Sequence, residues 1–213
     1  MLEKTAKVRC VMPTRIEELF YGAGKKAEGP VTWGTPLPCT QPGVYVVVLS
    51  GSAHKHVCYD EAPISEEAVR QWIDCVPNLT LDGGKPTVEE LTARLKGFWL
   101  PDETIVYIGK AGTSLRRRVG QYYRTALGAA GPHAGGHWIK TLSVLDKLSI
   151  YWCATDRDGA SALEEQFILT FVLNVSAASR EKLFDPATPL PFANLQCPGG
   201  PRKEHGLRHQ VLR

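Results

Sequence analysis

Val106-Tyr107-Ile108-Gly109-Lys110-Ala111-Gly112 is the stretch that decides the fold. Its first residues, with Ile105 before them, are apolar or aromatic and predict a short buried strand. Gly109 and Gly112 permit backbone angles that a Cβ would forbid, which indicates a turn. Residues 113–124 follow with four arginines and open on a threonine and a serine, either of which can cap a helix. The stretch therefore predicts a strand, a glycine turn and a basic helix.

Two further strands are predicted on either side of this stretch. Gly43 to Leu49 is an apolar run whose alternation places Tyr45 and Val47 on one face. Leu148 to Cys153 predicts another strand of similar length. We expect the first two strands to be neighbours, so that Tyr45 and Tyr107 come close together.

Gly43-Val44-Tyr45 and Val106-Tyr107-Ile108-Gly109 together resemble the two signature triplets of the GIY-YIG nuclease superfamily. Further elements of the family pattern follow in order over residues 43–194. They are Lys110 after the second triplet, Arg118 four residues before Tyr122, Glu164 within Leu163-Glu164-Glu165-Gln166-Phe167-Ile168, and Asn194 at the end of Pro191-Phe192-Ala193-Asn194.

The resemblance implies an α/β fold with a small, mainly antiparallel, three-stranded central sheet flanked by helices. Residues 43–194 would form the nuclease domain, with insertions at about 51–103 and 174–190. Residues 1–42 would be an N-terminal extension and residues 195–213 a basic C-terminal tail. Within the first insertion we predict a helix over Ser65–Cys75 and a second from Thr87 to about Phe98, opened by a capping box of Thr87 and Glu90.

The chemistry implied by the resemblance is hydrolysis of a phosphodiester bond. Glu164 would hold a single Mg²⁺ or Mn²⁺ ion, with phosphate oxygens and waters completing its shell. Arg118 would brace the phosphate with paired donors. The tyrosines would position the water and pass its proton, and which of them is the general base stays open. The expected catalytic residues are Tyr45, Tyr107, Arg118, Tyr122, Glu164 and Asn194. Asn174 is a rival to Asn194 because it lies closer along the chain to Glu164.

Helical geometry distinguishes the glutamate from its neighbours. At about 100° per residue, Glu164 falls in the middle of an apolar arc, whereas Glu165 falls at its edge. A carboxylate there is costly unless it is paired or binds a metal. The alternative is that Glu164 completes a capping box with Ser161, but a helix that begins at Asp158 places it in the second turn.

The same geometry places Arg118 beside Tyr122 at the edge of the buried side of the basic helix, with the other arginines pointing away. Those arginines are candidates for backbone contacts or simply for solubility. The glycine-rich residues 128–138 predict a mobile loop whose histidines could approach a nucleic acid, with Trp138 in the core. The nucleic-acid-binding candidates are Lys110, Arg116, Arg117, Arg124, His133 and His137. A phosphate-binding loop is disfavoured, because Thr104 stands where it needs a glycine.

Composition bounds these interpretations. The 213 residues suffice for one sizeable core, and 22% charged residues are ordinary for a globular protein. The net charge of +3 is small, but residues 110–124 hold five basic residues and no acidic one. The six cysteines show no C-x-x-C spacing, which argues against zinc and for a reducing, cytoplasmic location. No apolar run approaches the roughly 20 residues that a membrane span needs.

The resulting hypothesis is a divalent-metal-dependent DNA endonuclease without a membrane partner. Its large insertions resemble those of the restriction-enzyme and defence-associated branch. A homodimer is compatible with the sequence. A catalytically inactive nucleic-acid-binding module of the same fold and a nuclease acting on RNA are the alternatives.

Overall fold

The computed structural model describes residues 14–50, 57–129 and 134–209. The described helices are α1 (Ile16–Gly22), α2 (Glu66–Cys75), α3 (Val88–Lys96), α4 (Leu115–Arg124), α5 (Ala134–Lys140), α6 (Gly159–Asn174) and α7 (Ala177–Glu181). The described strands are β1 (Glu28–Thr32), β2 (Gly43–Leu49), β3 (Leu79–Leu81), β4 (Ile105–Ala111), β5 (Leu148–Ala154) and β6 (Leu207–His209). None of these helices is both long enough and apolar enough to cross a membrane.

The central sheet has four strands in the order β1-β5-β2-β4, and every neighbouring pair is antiparallel. The α/β class and the three predicted strands are confirmed. The prediction that the central sheet has three strands is wrong, because a fourth strand is present. The additional strand is β1, which pairs with β5. It contains Gly29 and Pro30, which normally disfavour a strand. Here β1 is an edge strand with an irregular register between Glu28 and Val31, and such a position tolerates a proline.

Strand β2 is buried along its whole length because helices cover both faces of the sheet. Tyr45, Val47 and Leu49 point into a core shared with α2, α3 and α4. Val44, Val46 and Val48 point into a second core shared with α1 and α6. This double burial explains why the strand is almost wholly apolar.

Gly43 is required by the close approach of two other elements. A Cβ at this position would lie 2.1 Å from the carbonyl oxygen of Cys153 and 2.8 Å from Cδ1 of Leu115. Glycine therefore lets β5 and the start of α4 pack directly against the beginning of β2.

The helix starts were largely predicted by capping chemistry. Ser65 caps α2, and Thr87 and Glu90 form the expected capping box on α3. Ser114 caps α4. Helix α6 starts within one residue of the predicted Asp158, which occupies the N-cap position, but the side chain of Asp158 makes no capping hydrogen bond. Asp156 instead accepts one from the backbone N–H of Gly159 at 2.5 Å.

The glycine-rich residues 128–138 do not all form a loop. Residues 130–133 lie outside the described part of the chain, but α5 begins at Ala134. Trp138 and Ile139 on α5 are buried in the core, and their burial outweighs the low helix propensity of the glycines.

Glu103 fastens the start of the described chain to the turn before β4. Its carboxylate accepts hydrogen bonds from the backbone N–H of Thr14 at 3.0 Å and from the hydroxyl of Thr14 at 3.1 Å. The side chain is buried, and burial raises the pKa of Glu103 from 4.5 to about 7, although the bonds from Thr14 lower it.

This raised pKa predicts a pH dependence of stability. Since the folded pKa of Glu103 lies above the unfolded one, its contribution to stability is greatest below pH 4.5 and is lost as the pH rises to about 7. The loss is at most about 3 kcal/mol. Glu103→Gln, which cannot ionise, should show a smaller decrease in the free energy of unfolding over this range, measured by denaturant titration. Glu181→Gln, an exposed control, should follow the wild type. Parallel curves for wild type and Glu103→Gln would contradict the assignment.

Candidate active site

The candidate site lies at the outer edge of β4, the end strand of the sheet. Side chains from the two faces of the sheet meet around this edge. They come from β2, β4, α4 and α6 and comprise Tyr45, Tyr107, Lys110, Arg118, Tyr122 and Glu164.

Three tyrosines form the inner part of the site. The ring centroid of Tyr107 lies 5.8 Å from that of Tyr45 and 5.2 Å from that of Tyr122. The expected proximity of Tyr45 and Tyr107 is therefore confirmed. A Cβ on Gly109 would lie 2.5 Å from Cε1 of Tyr107 and 2.9 Å from its hydroxyl oxygen. Gly109 is thus required because the ring of Tyr107 lies directly over its backbone.

The environment keeps these phenols protonated at neutral pH. Burial is the main cause that raises the pKa of Tyr45, Tyr107 and Tyr122. The carboxylate of Glu164 raises the pKa of Tyr107 further, whereas Arg118 lowers the pKa of all three. Each phenol therefore keeps its proton, and Tyr107, which lines a cleft at this edge, can donate a hydrogen bond to an oxygen there.

Glu164 projects from the face of α6 that packs against the sheet, as the helical geometry predicted, and its side chain is only 14% exposed. Nζ of Lys110 lies 3.1 Å from its carboxylate and also donates a hydrogen bond to the hydroxyl of Ser161 at 3.0 Å. Burial raises the pKa of Glu164, while hydrogen bonds from the side chain and backbone of Lys110 and the charge of Arg118 lower it. Its neighbour Glu165 is exposed.

Asn194 holds the middle of β4 from outside the sheet. Its side-chain amide donates to the carbonyl of Ile108 at 2.8 Å and accepts from the N–H of the same residue at 2.9 Å. Asn194 is 6% exposed and borders a cleft together with Glu164. Asn174, the rival, is exposed at the end of α6 and does not border this cleft.

Two clefts open beside these residues. The first, called here the glutamate cleft, has a volume of about 470 Å³ and is lined by Tyr107, Lys110, Glu164, Asn194 and Arg202. The second, called here the arginine cleft, has a volume of about 320 Å³ and is lined by Lys110, Arg117, Arg118 and Arg157. Lys110 lines both, so the clefts adjoin at this residue.

The other predicted nucleic-acid-binding residues lie in different surroundings. Arg116 donates hydrogen bonds to the carbonyls of Leu37 and Pro38, and Arg124 is exposed but lines neither cleft. His137 is buried, and its Nδ1 accepts a hydrogen bond from the N–H of Gly128. His133 lies outside the described residues.

Two cationic cleft residues were not predicted as site residues. Arg157 stands between Asp156 and Asp158, so that a count of local charge conceals it. Arg202 belongs to the predicted basic tail, but nothing in that stretch singled it out among its neighbours. The position of Arg202 is fixed by the next residue, Lys203, whose side chain is buried.

The chemistry of the donor set fits an open metal site and not a cage made by the protein. Glu164 is the carboxylate that lines the glutamate cleft. No group of three or more His, Cys, Asp or Glu side chains suited to a metal occurs within the described ranges. One carboxylate can hold a hard divalent ion when water and phosphate oxygens supply the remaining ligands.

Comparisons with protein-family models, with curated proteins and with solved structures gave no match. The resemblance to the GIY-YIG nucleases therefore stays an interpretation of the sequence motifs quoted above.

The paired hydrogen bonds of Asn194 make a testable prediction. In Asn194→Asp the side chain can still accept from the N–H of Ile108 but cannot donate to its carbonyl, and it adds a charge near Glu164. We expect a loss of about 1–3 kcal/mol in the free energy of unfolding. Asn174→Asp, at an exposed position, should change stability by less than about 0.5 kcal/mol. Equal losses in the two variants, measured by denaturant unfolding, would contradict the role of Asn194.

Proposed function

We propose that this protein is a divalent-metal-dependent endonuclease that hydrolyses phosphodiester bonds in DNA, with the restriction-type nucleases as its nearest functional class. The observation that carries the proposal is the convergence of Tyr107, Arg118 and Glu164 at one sheet edge, although they come from three separate elements. Each supplies a group that this reaction needs. A binding-only module has no requirement for a buried carboxylate beside buried phenols.

Arg118 is suited to hold the phosphate. Within the described part of the chain its guanidinium makes no hydrogen bond or salt bridge, yet it lowers the pKa of Tyr107 and Glu164 and lines the arginine cleft. A free planar guanidinium can donate two parallel hydrogen bonds to phosphate oxygens. Developing negative charge on the phosphate would strengthen these bonds.

Tyr45 and Tyr107 are suited to position the attacking water. Their rings are buried side by side, with centroids 5.8 Å apart. A phenol in this position can orient a water molecule or relay its proton along the pair. Tyr122 packs against both rings and limits their movement.

Glu164 would hold the divalent ion, and Mg²⁺ or Mn²⁺ would supply a polarised phosphate and a more acidic bound water. The ammonium of Lys110 already neutralises the carboxylate of Glu164, whose side chain is 14% exposed. This ion pair is the observation that favours the second candidate, a nucleic-acid-binding module without catalysis, because Lys110 competes for the same oxygens. The two candidates differ in whether the carboxylate is needed for turnover or only for folding.

The decisive experiment incubates the protein with plasmid DNA and Mg²⁺, with and without a chelator, and maps the ends of the products. We expect cleavage that the chelator abolishes. Glu164→Gln keeps the shape of the side chain but removes the charge, and should lower the cleavage rate by on the order of 10³-fold. Binding of DNA in the presence of chelator should be largely retained.

Glu165→Gln is the matched control, because Glu165 is adjacent on α6 and exposed. It should cleave at the wild-type rate. Binding without cleavage by the wild-type protein, or full activity in Glu164→Gln, would favour the binding module. Cleavage of an RNA transcript but not of the plasmid would change the substrate class.

The role of Arg118 predicts that charge alone does not suffice. Arg118→Lys keeps the positive charge but loses the planar fork, and should reduce single-turnover cleavage at saturating enzyme by about 10²–10³-fold. Arg124→Lys, on the same helix but outside both clefts, should have the wild-type rate. Wild-type cleavage by Arg118→Lys would show that another group holds the phosphate.

A further inference from the structure

The arginine cleft has a one-sided charge. Its cationic lining residues are Lys110, Arg117, Arg118 and Arg157, its other polar side chains are Thr113 and Gln121, and no carboxylate lines it. The field of several cations in a concave surface is focused into the cleft and attracts anions. The adjoining glutamate cleft adds Arg202, so that cations continue beyond Lys110 on the other side.

These arginines are not engaged elsewhere. Within the described residues, the guanidinium groups of Arg117, Arg157 and Arg202 make no hydrogen bond or salt bridge, and all three residues are exposed. Arg94 and Arg116 show the contrasting case. Arg94 is paired with Asp82 at 2.5 Å, and Arg116 donates to the carbonyl of Leu37 at 2.8 Å. The cleft arginines therefore keep all their donors for a ligand.

Arg157 and Arg202 lie on opposite sides of the ion pair between Lys110 and Glu164. Arg157 precedes α6 and lines the arginine cleft but not the glutamate cleft, whereas Arg202 follows the Asn194 segment and lines the glutamate cleft but not the arginine cleft. Lys110 and Glu164 lie between, since Lys110 lines both clefts and is paired with Glu164. A ligand that contacts both arginines must carry anionic groups on either side of this ion pair.

We propose that Arg157 and Arg202 bind phosphates of a DNA strand on the two sides of the reacting phosphate, which is held by Arg118. The proposal builds on the proposed function and deepens it, because it makes the substrate an internal segment of a strand with phosphates on both sides of the reacting bond. Neither arginine takes part in the chemistry. Each contributes a charged contact that is equal in the ground state and the transition state.

The test measures binding of a fluorescently labelled DNA duplex in buffer with chelator, across a series of salt concentrations. Each phosphate contact contributes about −0.9 to the slope of log K against log salt. Arg157→Ala and Arg202→Ala should each make the slope shallower by about 0.9, and the double variant by about 1.8. At saturating enzyme, cleavage by the single variants should stay close to the wild-type rate.

Arg70→Ala is the matched control, because Arg70 is exposed on α2 and lines neither cleft. Its Nη1 lies 3.7 Å from Oε2 of Glu67. It should keep the wild-type slope. Unchanged slopes in Arg157→Ala and Arg202→Ala overturn this inference even if the wild type cleaves DNA. The expected slopes without any cleavage support the inference while the proposed catalysis fails. Absence of DNA binding by the wild type overturns both.

Discussion

The outer edge of β4 is the constraint on which the site depends. An edge strand leaves backbone N–H and C=O groups without a neighbouring strand. The amide of Asn194 satisfies both groups of Ile108, and the N–H of Ala193 donates to the carbonyl of Val106 at 2.9 Å. Farther along the same edge, Nζ of Lys110 lies 3.1 Å from the carboxylate of Glu164. The strand is thus fixed by short segments instead of a fifth strand, which leaves space for the clefts.

Lys203 holds the segment that closes this edge. Its ammonium donates to the carbonyls of Pro191 and Phe192 at 2.9 and 2.8 Å and lies 5.3 Å from the ring centroid of Trp138. Burial lowers the pKa of Lys203, and the carbonyls and the aromatic ring partly replace its lost hydration. The segment around Lys203 therefore contributes to positioning Asn194, although the sequence predicted only a basic tail there.

Local signals in the sequence predicted most of the helices and strands. The elements that the sequence did not predict depend on contacts between residues far apart in the chain. Alternation and capping chemistry located β2, β4 and α3, and helical phase placed Glu164 on the face of α6 toward the sheet. Strand β1 was not predicted because a proline such as Pro30 normally disfavours a strand. The edge position of β1 beside β5 tolerates this proline. Helix α5 was not predicted because its glycines lower the helix propensity. The burial of Trp138 and Ile139 compensates for this low propensity.

The arginines of α4 show why charge patterns are a weak guide to a binding surface. Helical phase distinguished Arg118, but the other three were equivalent as outward-pointing residues of a basic helix, and each of them has different surroundings. Arg116 is bound by the carbonyls of Leu37 and Pro38, since the chain before β2 passes beside the start of α4. Arg117 and Arg118 line the arginine cleft, and Arg124 lies outside it. A guanidinium already bound to the protein has fewer donors left for a phosphate. The charges that matter for a ligand are therefore those with unoccupied donors, and only the packing of distant segments reveals which these are.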